Sequence, residues 1–300
     1  MRPLPTRQNK SGLDFPVLGL GTWGMGGYQQ KDPTHDDAQD IQAIHKALAL
    51  GITHIDTAEL YAQGHSEEIV ALALEGTPRA SVQLASKVMG AHHHHDDVLA
   101  ACEHSLKRLH TDHLDLYYLH WHNPEIPLKE TASALNKLYR DGRIKHIGVC
   151  NFHVTSMKEL QAYLEAPIAV NQSHYSLVYR EPERAGLLDY CHDNGITFVA
   201  WRPIMWHEEH RPCACGNAWE RGKVRLLDEM ADRYGKPNVQ VALNWLINQP
   251  NVCALVKSSR LEHLKEILDS LTWTLSNEDR ETLRRDFPNQ QDVSSAVPLS

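Results

Sequence analysis

The chain has 300 residues, more than one small domain needs and close to the length of a single eight-stranded α/β barrel. It is 42% hydrophobic and 23% charged, which is typical of a folded globular protein and excludes a disordered or collagen-like chain. Acidic residues outnumber basic residues by 38 to 30, giving a formal net charge of −8. This balance argues against a nucleic-acid partner, which requires a basic surface.

The lack of targeting and membrane-spanning patterns, together with the cysteine pattern, indicates the compartment. Residues 1–10 contain no apolar signal-peptide core, and no segment reaches the roughly 18 apolar residues of a membrane span. The six cysteines show no CxxC pair, which is typical of reduced cytosolic thiols. We therefore expect a soluble cytoplasmic protein with no membrane partner and no disulfide framework. The sequence contains no pattern that predicts an oligomeric state.

Eight short apolar runs, rich in Val, Ile, Leu or Tyr, are predicted to be strands. Each is too short for a typical helix and suits a strand that is buried on both faces. In chain order, they are residues 17–21, 54–57, 82–87, 114–120, 146–151, 169–172, 197–202 and 252–257.

Helical patterns with recognisable ends separate these strands. The first covers residues 34–50 and ends at Gly51, which is the residue type favoured just after a helix. Asp96 or Asp97 is predicted to cap a later helix, and the helix over 182–194 is predicted to end at Gly195. Further helices are predicted over residues 66–74, 128–140, 155–164, 223–234 and 239–247.

Strands that alternate with helices at this spacing predict a parallel (β/α)8 TIM barrel. We predict one domain over residues 1–300, with a barrel core of about 15–275 and a C-terminal tail at 287–300. A doubly wound sheet is the alternative. It is disfavoured because the glycines in Gly19–Gly24 (GLGTWG) lack the dinucleotide-binding spacing and no clear helix follows them.

Polar side chains close almost every predicted strand. In a parallel barrel these ends share the C-terminal face, where active sites form. Tyr61 follows the second strand by a few residues and is expected at the same face. The strand-end residues are Asp56, Lys87, His120, Asn151, Gln172, Arg202 and Lys257.

Several of these positions lie in motifs that resemble the aldo-keto reductase family. The motifs are GITHIDTAELYA at 51–62, Ser86-Lys87, DLYYLHW at 115–121, IGVCNF at 147–152 and Asn171-Gln172. The resemblance spans about residues 15–275. It implies a (β/α)8 barrel and NAD(P)H-dependent reduction of an aldehyde or ketone.

By this resemblance, Asp56, Tyr61, Lys87 and His120 match the family's four catalytic residues. Hydride addition to a carbonyl builds charge on oxygen, which needs a proton donor, but a free tyrosine with a pKa of about 10 is a weak one. Lys87 is expected to lower the pKa of Tyr61, and Asp56 to hold Lys87 charged. His120 is expected to orient the carbonyl oxygen. Any one of these residues alone would be read as a structural group.

The resemblance also assigns residues to the nicotinamide half of NADPH. Asn151 and Gln172 match carboxamide binders, with turn capping as the structural alternative. Trp201 stands where the family places a stacking ring, or else it is a core residue. Cys150 and Arg202 occupy positions where serine is usual. Arg202 is assigned to the cofactor, with a guanidinium in place of a hydroxyl contact to the pyrophosphate. Further cofactor contacts are assigned to the end of the first strand, at Gly21, Thr22 and Trp23.

Residues 256–266 resemble the segment that binds the adenosine half. Lys257 and Ser258 fit the 2′-phosphate site and Glu266 an adenine contact, which predicts NADPH or NADP+, with NADH possible. His263 replaces a common arginine, and Arg260 is a candidate substitute. The alternative is a solvated, charged helix start.

The sequence also suggests two alternative functions and a substrate-binding region. Histidine is abundant at 20 residues, and the run His92–His95 suggests a metal-dependent barrel hydrolase. This hypothesis is weak because the side chains of adjacent residues in an extended segment point to opposite sides. Additional candidate ligands are His122, His207, His210, Cys213 and Cys215. A non-catalytic NADPH-binding regulatory barrel is the other alternative. The small-molecule carbonyl substrate is predicted to contact Trp23, Tyr61, His120 and Trp121, with Trp206 nearby.

Overall fold

The computed structural model describes residues 4–204 and 224–300. Within them, eight parallel strands close into one barrel, which confirms the predicted fold class. The eight apolar runs all form barrel strands. They are β3 (Leu18–Gly21), β4 (His54–Asp56), β5 (Gln83–Val88), β6 (Leu116–Leu119), β7 (Ile147–Cys150), β8 (Ile168–His174), β9 (Thr197–Trp201) and β10 (Val252–Val256), and they follow a short hairpin formed by β1 (Thr6–Gln8) and β2 (Asp14–Pro16).

The strand register brings the polar strand ends to one rim. β3 and β4 pair with Gly21 opposite Asp56, and β7 and β8 pair with Cys150 opposite Gln172. β10 pairs with both β9 and β3, which closes the cylinder and leaves no free edge. The polar side chains at the strand ends therefore surround one mouth.

Eleven α-helices form the outer layer of the described chain. Their apolar sides pack on the strands, and most of the core lies between the two layers. The helices are α1 (Asp37–Ala49), α2 (His65–Ala73), α3 (His95–Arg108), α4 (Leu128–Arg140), α5 (Val154–Gln161), α6 (Glu181–Arg184), α7 (Leu187–Asn194), α8 (Arg225–Tyr234), α9 (Asn238–Ile247), α10 (Leu261–Asp269) and α11 (Asn277–Asp286). Within the described residues, no helix has the length and apolar character needed to cross a bilayer.

Two helix predictions were wrong in detail. The N-cap residue of α3 is His94, whose side chain makes no capping hydrogen bond. The predicted caps Asp96 and Asp97 lie inside the first turn of this helix. Carboxylates there still favour the positive end of the helix dipole. The single helix predicted over 182–194 is two helices, because Gly186 has a φ of +70° and interrupts the helical conformation.

The hairpin β1–β2, which the sequence reasoning missed, closes the opposite end of the barrel. Leu13 and Phe15 are buried in the cluster that fills the barrel interior. The Asn9 side chain donates to Ala169 O at 2.8 Å and to Thr197 Oγ1 at 3.1 Å, at the starts of two strands. Because this end is filled, the polar mouth is the open end of the cylinder.

Candidate active site

A buried ion pair lies at the centre of the mouth. Lys87 is 0% exposed and Asp56 1% exposed, and the Lys87 Nζ donates to an Asp56 carboxylate oxygen. The same Nζ donates to Thr57 O at 2.8 Å and to Tyr61 Oη at 3.1 Å. The other Asp56 oxygen accepts from Gln172 Nε2 at 2.8 Å. All three Lys87 protons therefore have acceptors, as a buried ammonium requires.

Tyr61 is held by a tight turn after β4. The two residues that follow it, Ala62 and Gln63, have left-handed backbone angles, with φ of 49° and 58°. This conformation costs an L-residue about 1–2 kcal/mol. Ala62 N donates to Tyr28 O at 2.6 Å, which helps to hold the turn. Backbone strain of this kind is found where the surroundings fix a functional side chain.

The expected lowering of the Tyr61 pKa was wrong for the site as it stands. Burial raises the pKa of Tyr61 to about 12, because the opposing effect of the Lys87 charge is smaller and Asp56 adds to the rise. Burial also works against the charge of Lys87, but Asp56 and Tyr61 outweigh it and raise the Lys87 pKa. Tyr61 is therefore a protonated phenol and Lys87 an ammonium at neutral pH.

His120 completes the group at the end of β6. Its ring lies 5.7 Å from the Tyr61 ring, and the two planes are steeply inclined at 70°. Burial, together with the charge of Lys87, lowers the pKa of His120 well below its usual 6.5. The imidazole is therefore neutral at physiological pH and can hydrogen-bond a carbonyl oxygen.

Asp56, Tyr61 and His120 line one cavity of about 730 Å³, within the usual range for small-ligand sites. Trp23 packs edge-on against Tyr61 with ring centroids 4.9 Å apart, and the Trp121 ring lies 4.9 Å from that of His120. Tryptophan therefore flanks both acid–base candidates. Of the predicted cofactor and substrate residues, those that line the cavity are Gly21, Thr22, Trp23, Tyr61, His120, Trp121, Asn151, Gln172, Trp201, Arg202 and Lys257.

The predicted nicotinamide contacts form a connected set. Trp201 is half-buried, and its Nε1 donates to Asn151 Oδ1 at 3.0 Å. Asn151 Nδ2 donates to His120 O at 3.3 Å, so protein atoms fix the orientation of this amide. Asn151 and Arg202 have positive φ angles of 60° and 52°. Asparagine adopts this conformation easily, whereas for arginine it is strained.

The predicted adenosine contacts divide into two groups. Lys257 reaches the cavity edge, where its Nζ donates to Trp23 O at 2.8 Å. Ser258, Arg260, His263 and Glu266 do not line the cavity described above. Ser258 Oγ accepts from Arg260 N at 3.1 Å in the turn before α10. Arg260 is the N-cap residue of α10, and His263 and Glu266 lie on its first two turns.

The histidine run does not form a common site. His92 Nδ1 lies 3.0 Å from Glu59 Oε1, and His94 Nδ1 lies 3.0 Å from Glu130 Oε1. His93 points inward and is 1% exposed. Across residues 4–204 and 224–300, no three His, Cys, Asp or Glu side chains are grouped to hold a metal ion. Trp206, His207, His210, Cys213 and Cys215 lie outside the described residues.

The buried histidines are expected to make the stability of the fold sensitive to acid. Burial lowers the pKa of His54 and of His93 from 6.5 to about 4, and that of His174 to about 3. The unfolded chain binds more protons below pH 6.5, so the free energy of unfolding should fall as the pH drops from about 6.5 towards 4. The slope is up to about 1.4 kcal/mol per pH unit for each histidine.

Urea unfolding at pH 7, 6 and 5 measures this effect. His54→Gln should reduce the slope of stability against pH, whereas His104→Gln, at an exposed position of α3, should leave it unchanged. Stability that stays constant from pH 7 to pH 5 would contradict the prediction.

Several residues that line the cavity are not among the individual site residues predicted from the sequence. Leu60 follows β4, Ile204 follows β9, and Ala296 and Val297 come from the C-terminal tail. The tail's last residue, Ser300, donates its backbone N–H to Asn151 O at 2.8 Å. Its position depends on long-range contacts, and no local pattern signals it.

A (β/α)8 barrel with a tyrosine, lysine, aspartate and histidine at its mouth has the architecture of a barrel carbonyl reductase. The model of the aldo/keto reductase family matches residues 17–285. The methylglyoxal reductase YeaE of Escherichia coli (strain K12) is 33% identical over 92% of each chain. The chain belongs to the aldo/keto reductase family.

Solved structures support the same assignment. The thermostable aldo-keto reductase Tm1743, in complex with the inhibitor epalrestat, has a TM-score of 0.85 and 39% identity, covering 93% of this chain and 97% of that one. A Klebsiella pneumoniae aldo-keto reductase in complex with NADPH has a TM-score of 0.80 and 33% identity, covering 98% of both. The protein is thus an NADP(H)-dependent reductase of aldehydes or ketones. Neither the hydrolase nor the non-catalytic alternative is favoured by these relatives.

Proposed function

We propose that this chain reduces a small aldehyde or ketone to the alcohol, with Tyr61 as the proton donor. The observation that carries the proposal is the contact of Tyr61 Oη with Lys87 Nζ, at 3.1 Å, beside a cavity. NADPH supplies the hydride when bound. The remaining chemistry belongs to the side chains around the cavity.

The roles of the catalytic residues follow from their charges. The carbonyl oxygen lies between Tyr61 Oη and the His120 imidazole, which both donate to it as negative charge develops. Tyr61 then releases its proton to that oxygen, which is more basic than a phenolate. Lys87 stabilises the resulting phenolate electrostatically, and Asp56 keeps Lys87 charged and fixed. In this proposal Lys87 and Asp56 do not exchange protons with the substrate.

The residues present fit a nicotinamide cofactor. Trp201 lines the cavity and offers an aromatic face for ring stacking, while Asn151 and Gln172 supply amides. Gly21, Thr22 and Trp23 also line the cavity. Arg202 places a guanidinium at the same mouth, suited to a pyrophosphate oxygen. The protein's overall acidity is compatible with this anionic ligand because the positive charges are local.

The 2′-phosphate of NADPH is proposed to bind at the start of α10. Lys257, Ser258 and Arg260 lie in the turn that leads into this helix, whose first N–H groups also favour an anion. His263 and Glu266, on the next turn of α10, are proposed to lie beside the adenosine.

Arg260→Ala is expected to raise the Kd for NADPH about tenfold and to leave the Kd for NADH unchanged, because one charge-assisted hydrogen bond is lost. Lys265→Ala, which removes an exposed cation further along the same helix, is the matched control and should change neither value. Fluorescence titration with both cofactors measures this. Equal loss of affinity for NADH and NADPH would place the 2′-phosphate elsewhere.

The proposed substrate class is short aldehydes, 2-oxoaldehydes included. The cavity walls flanking Tyr61 and His120 are the indoles of Trp23 and Trp121, and the Escherichia coli relative YeaE is named for methylglyoxal reduction. Small apolar groups suit such walls. NADPH oxidation over a panel of methylglyoxal, aromatic aldehydes and hydroxyketones, run beside NADH, tests the function. No turnover of any carbonyl would overturn it.

We also propose a cytoplasmic location. The four described cysteines, Cys102, Cys150, Cys191 and Cys253, are free thiols buried in the core. Such thiols are typical of a reducing compartment.

A further inference from the structure

Trp201 is backed by a stack of rings that the catalytic scheme does not use. The His174 ring lies parallel to the Trp201 indole, 4.3 Å away with an interplanar angle of 14°. Tyr179 stacks on His174 at 4.0 Å and 30°. His174 is 2% exposed and Tyr179 8% exposed. Trp201 therefore has one face covered by protein, and it also lines the cavity.

The same stack holds the C-terminal tail. His174 Nδ1 lies 2.8 Å from Ser294 Oγ, and Tyr179 Oη lies 2.8 Å from Ser295 Oγ. Ser294 Oγ also accepts the backbone N–H groups of Ala296 and Val297, each at 3.2 Å. These two residues line the cavity. The Ser294 hydroxyl thus joins the ring stack to a wall of the cavity.

His174 is suited to holding position and unsuited to transferring protons. Burial, with the nearby charge of Arg202, lowers the pKa of His174 to about 3, so the ring is neutral at working pH. Its Nε2 is buried and has no hydrogen-bond partner among the described residues. The ring therefore contributes two flat contacts and one hydrogen bond. An apolar ring at this position loses only that bond, and it removes an unsatisfied polar atom as well.

We propose that His174 is a positioning residue that sets the plane of Trp201 and ties the cavity wall at Ala296 and Val297 to it. The inference rests on the proposed function, in which Trp201 receives the nicotinamide ring. A shift of His174 moves both the stacking surface and the tail, so cofactor affinity and carbonyl KM are coupled through this one side chain. The hydride and proton transfer groups stay in place.

Three substitutions separate the two contacts. His174→Phe keeps the stack and removes the Ser294 bond, and Ser294→Ala removes the bond from the tail side. His174→Phe should raise the carbonyl KM about fivefold, the worth of one hydrogen bond, and Ser294→Ala should raise it at least as much because it also removes the acceptor of the Ala296 and Val297 N–H groups. Both variants should keep the parent kcat and NADPH Kd. Because both break the same bond, the double variant should show clearly less than the product of the two effects. His174→Ala also removes the stack and should raise the NADPH Kd about fivefold.

Controls distinguish this role from simple folding support. Tyr179→Phe keeps the ring stack and removes only the Ser295 bond, so its NADPH Kd should match that of the parent protein. The inference is overturned if the His174 variants keep the parent KM and Kd, or if they lose only thermal stability. If His174→Ala does not fold, the Phe and Ser294 variants decide the outcome through KM. A normal NADPH Kd in Trp201→Ala would instead refute the proposed placement of the cofactor.

Discussion

Tyr61→Phe is expected to lower kcat for carbonyl reduction by about 10²–10⁴-fold, the usual contribution of a general acid, while the Kd for NADPH stays unchanged. The substitution removes the hydroxyl that Lys87 Nζ contacts at 3.1 Å and keeps the ring that packs on Trp23 and His120. Steady-state NADPH oxidation and fluorescence titration measure the two quantities separately.

Tyr117→Phe is the matched control for this prediction. Tyr117 is fully buried in β6, and its hydroxyl has no hydrogen-bond partner among the described residues. Loss of that hydroxyl should therefore leave kcat at the parent value. Undiminished turnover in Tyr61→Phe would refute the proton-donor assignment, while reduced turnover in Tyr117→Phe would show that hydroxyl deletion has general effects.

Lys87→Met is expected to abolish measurable turnover and to destabilise the fold by about 3–5 kcal/mol, because it leaves the Asp56 carboxylate buried without its cation. Gln172 Nε2 would remain as a donor to that carboxylate, at 2.8 Å. A neutral amide compensates for a buried charge only in part. Urea unfolding and NADPH oxidation measure the two losses independently.

The double variant Asp56→Asn with Lys87→Met separates stability from catalysis. It removes both buried charges, so it should recover much of the lost stability and none of the activity. Recovery of turnover would show that the Lys87 charge is not needed beside Tyr61. Parent-like stability in Lys87→Met alone would show that water or another group neutralises Asp56.

The barrel could be predicted from local sequence because its strands carry local signals. Each of the eight runs is apolar and short, and the intervening helices have their own periodicity and ends, such as Gly51 with a φ of +89°. The polar residue that closes a strand must lie at the barrel mouth whatever the loops do. For this reason the positions of Asp56, Lys87 and His120 followed from the chain order.

Features that depend on distant contacts escaped prediction. The hairpin β1–β2 fills the barrel end through contacts such as Asn9 with Ala169, and nothing in its own pattern indicates that partner. The split of the predicted 182–194 helix at Gly186 shows that one backbone angle can override helical periodicity.

The sequence by itself determined the barrel, because strand periodicity is a local property, and its resemblance to the aldo/keto reductase family implied the class of reaction and the four residues proposed to be catalytic. Only the tertiary structure decided their electrostatics and surroundings. Burial raises the Tyr61 pKa where a charge argument alone predicted lowering, since desolvation depends on every neighbouring atom. Likewise, Ser294 meets His174 across 120 residues of chain, so the wall of the cavity is set by the folded molecule as a whole.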